Sequence, residues 1–229
     1  RAGTLEYSME NPVDSDPLFT KTFSSLMTQR GQVVDKPMLF INTTRMNDAK
    51  PGVIATVKPD PDFTKRLDVL SLMEKKRLDM NLSTATVLGA RFPYVSPGGN
   101  LVDNNFFVDG GYFDNSGAGV AHETMQAIRS YFQTGGKLAD IDTAVTNKLN
   151  FYIIHMMNSP ESSGGTTQSA ISPLANDLAA PIITLMSSYG QQTDVNNARL
   201  YNYLDYELYE GTQGQKFPAR HWIQVNLYD

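Results

Sequence analysis

Two short, almost wholly apolar runs limit what this chain can fold into. They are residues 38–43 (MLFINT) and 149–157 (LNFYIIHMM), and polar or turn-forming residues flank each run. Apolar runs without alternation are typical of strands buried on both faces, which occur in parallel sheets covered by helices. Because segments with helical spacing lie between such runs, the sequence predicts an α/β fold with a layered, mostly parallel sheet flanked by helices.

The other elements are predicted from the spacing of apolar residues and from the positions of turn residues. Strands are expected over residues 36–45, 52–57, 104–111, 148–157 and 220–228, and helices over about 83–91, 115–136 and 173–204. Residues 17–31 fit a short helix, residues 67–73 fit either a helix or a strand, and residues 158–172 fit a polar loop.

The composition excludes several classes of function. The chain has 229 residues and no cysteine, so it contains no disulfide bond, thiolate metal site or cysteine nucleophile. The net charge is -5 and no run of Lys and Arg stands out, so no nucleic-acid partner is expected. No apolar stretch is long enough to span a bilayer, and a soluble domain is expected. No cofactor is expected either.

Asp109 ends the predicted strand at 104–111, and Gly110 and Gly111 follow it. One interpretation is a tight turn in which the carboxylate binds nearby backbone groups. The other is a general base at the carboxyl end of a strand, where the working residues of open α/β sheets lie. The two glycines have no Cβ, so they can take positive φ and let a substrate or a second loop approach closely.

Other polar residues give weaker signals. Asp103, Asp109 and Asp114 do not have the spacing of an EF-hand calcium loop. Asp114 fits a turn residue before a helix, and its replacement by Asn is expected to be nearly neutral. Ser116 fits a helix N-cap, and the glycine-rich residues 162–167 lack the lysine of a phosphate loop. A Ser-His-Asp triad stays open for the three histidines, which lie far apart in sequence; they are His122, His155 and His221.

Two segments resemble the C-terminal half of patatin-like phospholipases. In residues 82–97 (LSTATVLGARFPYVSP) a helix with small residues leads into an Arg-Phe-Pro segment. In residues 107–118 (FVDGGYFDNSGA) a strand ends in Asp-Gly-Gly before an Asn-containing turn. The strand at 38–45 also looks like the family's central strand, and the resemblance covers residues 36–157.

The resemblance implies a lipid acyl hydrolase that uses a Ser-Asp dyad. The dyad aspartate belongs to the Asp-Gly-Gly motif and maps to Asp109, with Gly110 and Gly111 as the glycines beside the substrate. Asp109 would take the proton of a serine hydroxyl, and a covalent acyl-enzyme would form and then be hydrolysed. The resemblance implies no metal.

The nucleophile of this dyad is missing from the chain. The family's serine lies in Gly-x-Ser-x-Gly after a glycine-rich oxyanion loop, and the sequence has neither. Since the chain begins without an initiator Met, we expect an incomplete domain. Residues 1–35 are expected to be a lead-in segment and residues 36–229 the C-terminal part of a patatin-like α/β domain. This chain alone is expected to be inactive.

The expected partners also follow from the resemblance. They are a lipid or other acyl-ester substrate and a membrane surface reached through the parent protein. A second copy of the chain, or the missing N-terminal half, is expected to cover an open edge of the apolar strand at 38–44. The alternative function is a non-catalytic α/β module for binding or assembly. An aspartate in an open cleft would favour the enzyme, and an aspartate that caps a closed turn would favour the module.

Overall fold

The structure is a computed structural model, and its described residues form two compact units, Arg1–Asn115 and Ser116–Asp229. The described residues are 2–12, 18–26, 37–62, 64–92, 96–133, 151–157, 173–204 and 222–227. The helices are α1 (Ala2–Glu10), α2 (Val69–Glu74), α3 (Leu82–Gly89), α4 (Gly111–Asp114), α5 (Ala118–Gln133) and α6 (Pro173–Asn202). The strands are β1 (Phe40–Arg45), β2 (Lys50–Ala55), β3 (Leu67–Asp68), β4 (Gly99–Asn100), β5 (Phe106–Asp109), β6 (Ile153–Met157) and β7 (Trp222–Asn226). The predicted α/β class is confirmed.

The first unit contains a mixed five-stranded sheet in the order β3-β2-β1-β5-β4. β1 runs antiparallel to β2 and β5, and β4 runs antiparallel to β5. β2 and β3 are parallel. The prediction of a mostly parallel sheet is therefore wrong for this sheet. β1 and β2 are joined by residues 46–49 alone, and so short a connection returns the chain to an antiparallel neighbour.

β1 lies inside this sheet. It pairs with β2 along its whole length and with β5 over Thr43, Thr44 and Arg45. The open edge expected at residues 38–44 is therefore closed over its carboxyl half, because β5 provides the second neighbour there. Self-association of the chain stays a prediction.

The core of the first unit lies between α3 and one face of the sheet. Leu88 of α3 packs in one buried cluster with Ile54 of β2 and Phe107 of β5. Burial of each such side chain contributes about 1.5–3 kcal/mol. α3 also approaches β1 closely, since a Cβ added to Gly89 would lie 2.7 Å from the carbonyl oxygen of Asn42. The helix predicted at 83–91 is confirmed as α3.

The ambiguous segment at 67–73 contains both a strand and a helix. β3 ends at Asp68, and α2 begins at the next residue. Asp68 makes this switch because its Oδ1 accepts a hydrogen bond from the N–H of Ser71 at 3.2 Å, which caps the helix. The helix predicted at 115–136 is confirmed as α5, which begins after Gly117, whose φ is 76°. The short helix α4, which ends at Asp114, was not predicted.

The N-terminal region contains more structure than the sequence suggests. α1 was not predicted, and the helix expected within 17–31 is represented by two 3-10 turns, Leu18–Thr20 and Phe23–Leu26. Glu10 accepts hydrogen bonds from Ser83 Oγ at 2.6 Å and Asn81 Nδ2 at 3.1 Å. Both hydrogen bonds lower the pKa of Glu10, and the bond from Ser83 has the larger effect. The division at residue 35 stays a prediction.

In the second unit α5 and α6 pack around a small apolar cluster with Trp222 of β7 at its margin. β6 and β7 form a parallel two-stranded sheet, and the predicted final strand and long helix are confirmed. The prediction that β6 is buried on both faces is wrong, because Ile154 and Met156 are 64% and 67% exposed. Its alternating pattern, with Ile153 packed on the cluster, is that of a strand covered on one face.

Residues 158–172, predicted to be a polar loop, lie outside the described residues, as do residues 148–150 of the predicted strand. Within the part of the chain that the structure describes, no helix has the length and apolar character needed to cross a membrane.

Candidate active site

Asp109 is the last residue of β5 and lies opposite Thr43 of β1. Its N–H donates to the carbonyl oxygen of Arg91, which follows α3, at 3.0 Å. β2, β3 and β5 all run in the same direction, since β2 and β5 are each antiparallel to β1 and β3 is parallel to β2. The carboxyl ends of these three strands therefore meet at one edge of the sheet, and Asp109 lies at that edge.

The two carboxylate oxygens of Asp109 have different surroundings. Oδ1 accepts a hydrogen bond of 2.6 Å from the N–H of Gly111, the first residue of α4. Oδ2 accepts no hydrogen bond from the described residues. Burial raises the pKa of Asp109 above its ordinary value, and the hydrogen bond from Gly111 opposes this with a smaller effect. The group is thus an oriented carboxylate with one oxygen able to accept a proton.

Position 110 requires glycine because another strand of the same protein lies very close to it. Gly110 has φ −70° and ψ −20°, which any residue can adopt. An added Cβ would, however, lie 2.4 Å from the carbonyl carbon and 2.5 Å from the Cβ of Asn42 in β1. The close approach expected at Gly110 is therefore made by a neighbouring strand. Gly111 is buried at the start of α4, and contact of either glycine with a substrate stays a prediction.

Asp114 holds the other end of α4 against β1. Its Oδ2 lies 3.0 Å from Arg66 Nη2, and the side chains of Asp114 and Arg66 are 0% and 7% exposed. Asn42 Nδ2 donates to Asp114 Oδ2 at 3.1 Å and to the Asp114 carbonyl oxygen at 3.0 Å. The interpretation of Asp114 as a turn residue that tolerates replacement is therefore corrected: it is one partner of a buried ion pair.

Asp68 was missed as a candidate, although it resembles Asp109 in several respects. Each ends a strand at the same sheet edge, each is half-buried, and each binds a backbone N–H at the start of a helix. Burial raises the pKa of Asp68 as well. Their strands, β3 and β5, are separated in the sheet by β2 and β1. Three inter-strand steps place the two residues about 14 Å apart. The sequence signal was a single Asp before an apolar helical segment, which is common to many N-caps.

The weaker candidates have contacts of their own. Among the described residues, no group of three or more acidic or histidine side chains could hold a metal ion, and Asp103 forms an exposed ion pair with Lys76 at 3.0 Å. In the second unit, His122 contacts Tyr203 edge-on and His155 contacts Trp222 edge-on. Ser116 Oγ accepts a hydrogen bond from the N–H of Ala118 at 3.3 Å. Since α5 begins at Ala118, Ser116 lies one residue before the N-cap position, which Gly117 occupies. His221 and residues 162–167 lie outside the described residues.

No family model, no curated protein and no solved structure matches this chain. The likeness of residues 82–97 and 107–118 to patatin-like phospholipases therefore stays a prediction from the sequence.

Proposed function

We propose that this chain is the C-terminal part of a patatin-like serine lipid acyl hydrolase and that it supplies the general base, Asp109. The serine and the oxyanion loop belong to a part of the parent protein outside this chain. The domain is incomplete in this proposal, and the missing part adds the layer that carries the serine. The substrate is a lipid or another carboxylic ester.

The observation that carries the proposal is the state of the Asp109 carboxylate. The Gly111 N–H holds Oδ1, so the carboxyl plane is oriented while Oδ2 has no partner among the described residues. A general base needs both an accessible lone pair and a pKa nearer to the working pH than that of an exposed carboxylate. Burial at the end of β5 raises the pKa in that direction.

The proposed reaction has two steps. In the first, the serine oxygen attacks the ester carbonyl carbon, Asp109 Oδ2 accepts the hydroxyl proton, and the leaving alcohol takes that proton as the acyl-enzyme forms. In the second, Asp109 accepts a proton from water, which attacks the acyl-enzyme and releases the fatty acid. The N–H of Gly111 stabilises the ionised carboxylate in both steps.

The test compares two matched variants of the parent protein, Asp109→Asn and Asp68→Asn. Both substitutions remove a half-buried carboxylate at the same sheet edge and keep an amide oxygen that can accept the capping hydrogen bond. Asp109→Asn is expected to reduce kcat for p-nitrophenyl butyrate by about 10²–10⁴-fold, because general-base catalysis typically contributes this much. Asp68→Asn is expected to keep kcat within about threefold of the wild type, since no proton is transferred to Asp68. Equal losses in both variants would contradict the proposal.

The isolated chain provides a second test. It has no Gly-x-Ser-x-Gly segment, so it is expected to release no p-nitrophenol above the buffer rate. Turnover that survives repurification and disappears in Asp109→Ala would instead place the nucleophile within this chain.

One observation favours the alternative, a non-catalytic α/β module for binding or assembly. Asp109 caps α4, and Gly110 packs closely on Asn42, so the Asp-Gly-Gly motif has a structural use in this fold. For such a module, Asp109→Asn would leave any activity of the parent unchanged and Asp109→Ala, which removes the cap, would lower the melting temperature. The kinetic comparison therefore separates the two functions.

A further inference from the structure

A cavity of about 460 Å³ opens within the first unit, and Asp109 is not among its lining residues. This volume lies in the range of about 300–1,000 Å³ that is typical of small-molecule sites. Its lining includes Val108 of β5 and, from α4, Tyr112 and Phe113. Val108 and Asp109 are consecutive in a strand, so their side chains point to opposite faces. The cavity is therefore separate from the carboxylate of Asp109, and a ligand bound in it would not need that carboxylate.

Most of the remaining lining is also apolar, with Met46 from the β1–β2 turn and Pro97 from the segment before β4. Arg45 is the charged residue among the lining residues, and its guanidinium is already bound. Its Nε and Nη2 donate to the two carboxylate oxygens of Asp48 at 2.8 and 2.6 Å, and its Nη1 donates to Asn105 Oδ1 at 3.2 Å. A cavity of this kind suits a neutral ligand, because a charged one would lose its hydration without gaining a counter-charge.

Thr44 provides a buried polar group in the lining, which also includes the hydroxyl-bearing residues Ser96 and Tyr112. Thr44 is 4% exposed, and its Oγ1 is buried without a hydrogen-bond partner among the described residues. Its neighbour Thr43 is equally buried, but Thr43 Oγ1 donates to the Val108 carbonyl oxygen at 2.7 Å. Buried polar groups are nearly always hydrogen-bonded in native proteins, and an unpaired one is costly. Thr44 thus has a hydrogen bond left to make, and it lines the cavity.

We propose that this cavity binds a neutral, mainly apolar small molecule that carries one carbonyl or hydroxyl group, which forms a hydrogen bond with Thr44 Oγ1. The aromatic rings of Tyr112 and Phe113 contact its apolar part. Specificity comes from the single hydrogen bond, because the apolar contacts have little directionality.

The test is a fluorescence titration of the 229-residue chain with 6-propionyl-2-(dimethylamino)naphthalene. This probe is neutral and aromatic, has one carbonyl group, and emits at shorter wavelength when it leaves water. Saturable binding with a blue shift is expected. Thr44→Val is expected to weaken binding about tenfold, the loss of roughly one hydrogen bond, and to raise the melting temperature of the ligand-free chain by removing the unpaired hydroxyl.

Two further variants act as controls. Thr44→Ser keeps the hydroxyl and is expected to bind within about threefold of the wild type. Thr43→Val breaks the bond to Val108, so the melting temperature should fall while the affinity of the folded chain is unchanged. The proposal is overturned if the wild type gives no saturable blue shift, or if Thr44→Val binds the probe as tightly as the wild type. If Thr44→Val does not fold, a tenfold loss of affinity in Thr44→Ser would overturn it instead.

Discussion

Asp114→Asn removes the negative charge from the buried ion pair that joins α4 to Arg66, the residue before β3. The amide keeps the size of the carboxylate, and its oxygen can still accept the hydrogen bond from Asn42. Arg66 remains charged with a side chain that is 7% exposed, and its partner at 3.0 Å is now neutral. Because α4 begins at Gly111, which binds Asp109, loss of this pair also releases the segment that orients the proposed general base.

The expected cost follows from the burial of both side chains. Removal of one partner of a buried ion pair destabilises a protein by about 3–5 kcal/mol, because the other charge is left in a low-dielectric environment. With a urea m-value of about 2 kcal/mol/M, the unfolding midpoint should fall by roughly 1.5–2.5 M. The exposed pair between Lys76 and Asp103, 49% and 63% exposed, provides the control. Asp103→Asn should cost less than about 1 kcal/mol.

The assay is hydrogen exchange of peptides from β1 and β5 as a function of urea, which reports the first unit separately from the second. Asp114→Asn combined with Arg66→Met removes both charges and should recover most of the lost stability, since an apolar replacement of a buried pair is often near neutral. A change of less than about 1 kcal/mol in the free energy of unfolding of Asp114→Asn, or a double variant no more stable than the single one, would contradict a stabilising role of this ion pair.

Three other outcomes are expected. Gly110→Ala should destabilise the first unit by about 1–3 kcal/mol, because the added methyl group overpacks against Asn42. Gly190→Ala in α6, where no atom lies within 4 Å of the added Cβ, should stabilise the chain by about 0.5–1 kcal/mol. Both changes are measured by calorimetric melts. Burial raises the pKa of Asp109 in the folded chain above its value in the unfolded chain. Between these two pKa values the folded chain binds more protons than the unfolded chain, so the free energy of unfolding falls as the pH rises. The stability of the wild type relative to Asp109→Asn, measured by urea titration, should therefore be greater at about pH 4 than at about pH 7.

Local sequence signals predicted most of the described elements well. The helix α3, the strand before Asp109 and the long helix α6 all depend on residues close together in the chain, whereas the N-cap of α2 at Asp68 was not predicted. The direction of the strands was predicted wrongly, because the apolar run at 38–43 was taken as a sign of a parallel sheet. The four-residue connection at 46–49 was the better guide, and it was available in the sequence.

The site was predicted only in part, because its main contacts join distant segments. The position of Asp109 at a strand end was evident from the pattern of the motif. The pairing of Asp114 with Arg66 spans 48 residues, and nothing in the local pattern of either residue indicates it. The same holds for Gly110, because the residue that leaves no room for a side chain there, Asn42, lies in another strand. Thr44 could not be distinguished from Thr43 without the hydrogen bond that only one of them makes.

The pH dependence of kcat/KM of the parent enzyme is the most direct measurement of whether Asp109 is the general base. The wild type is expected to lose activity on acidification with an apparent pKa above that of an ordinary aspartate, because the base must be ionised in the free enzyme. Asp68→Asn should keep this acidic limb, and the residual activity of Asp109→Asn should lack it. An acidic limb that persists in Asp109→Asn, with kcat/KM close to that of the wild type, would contradict the assignment.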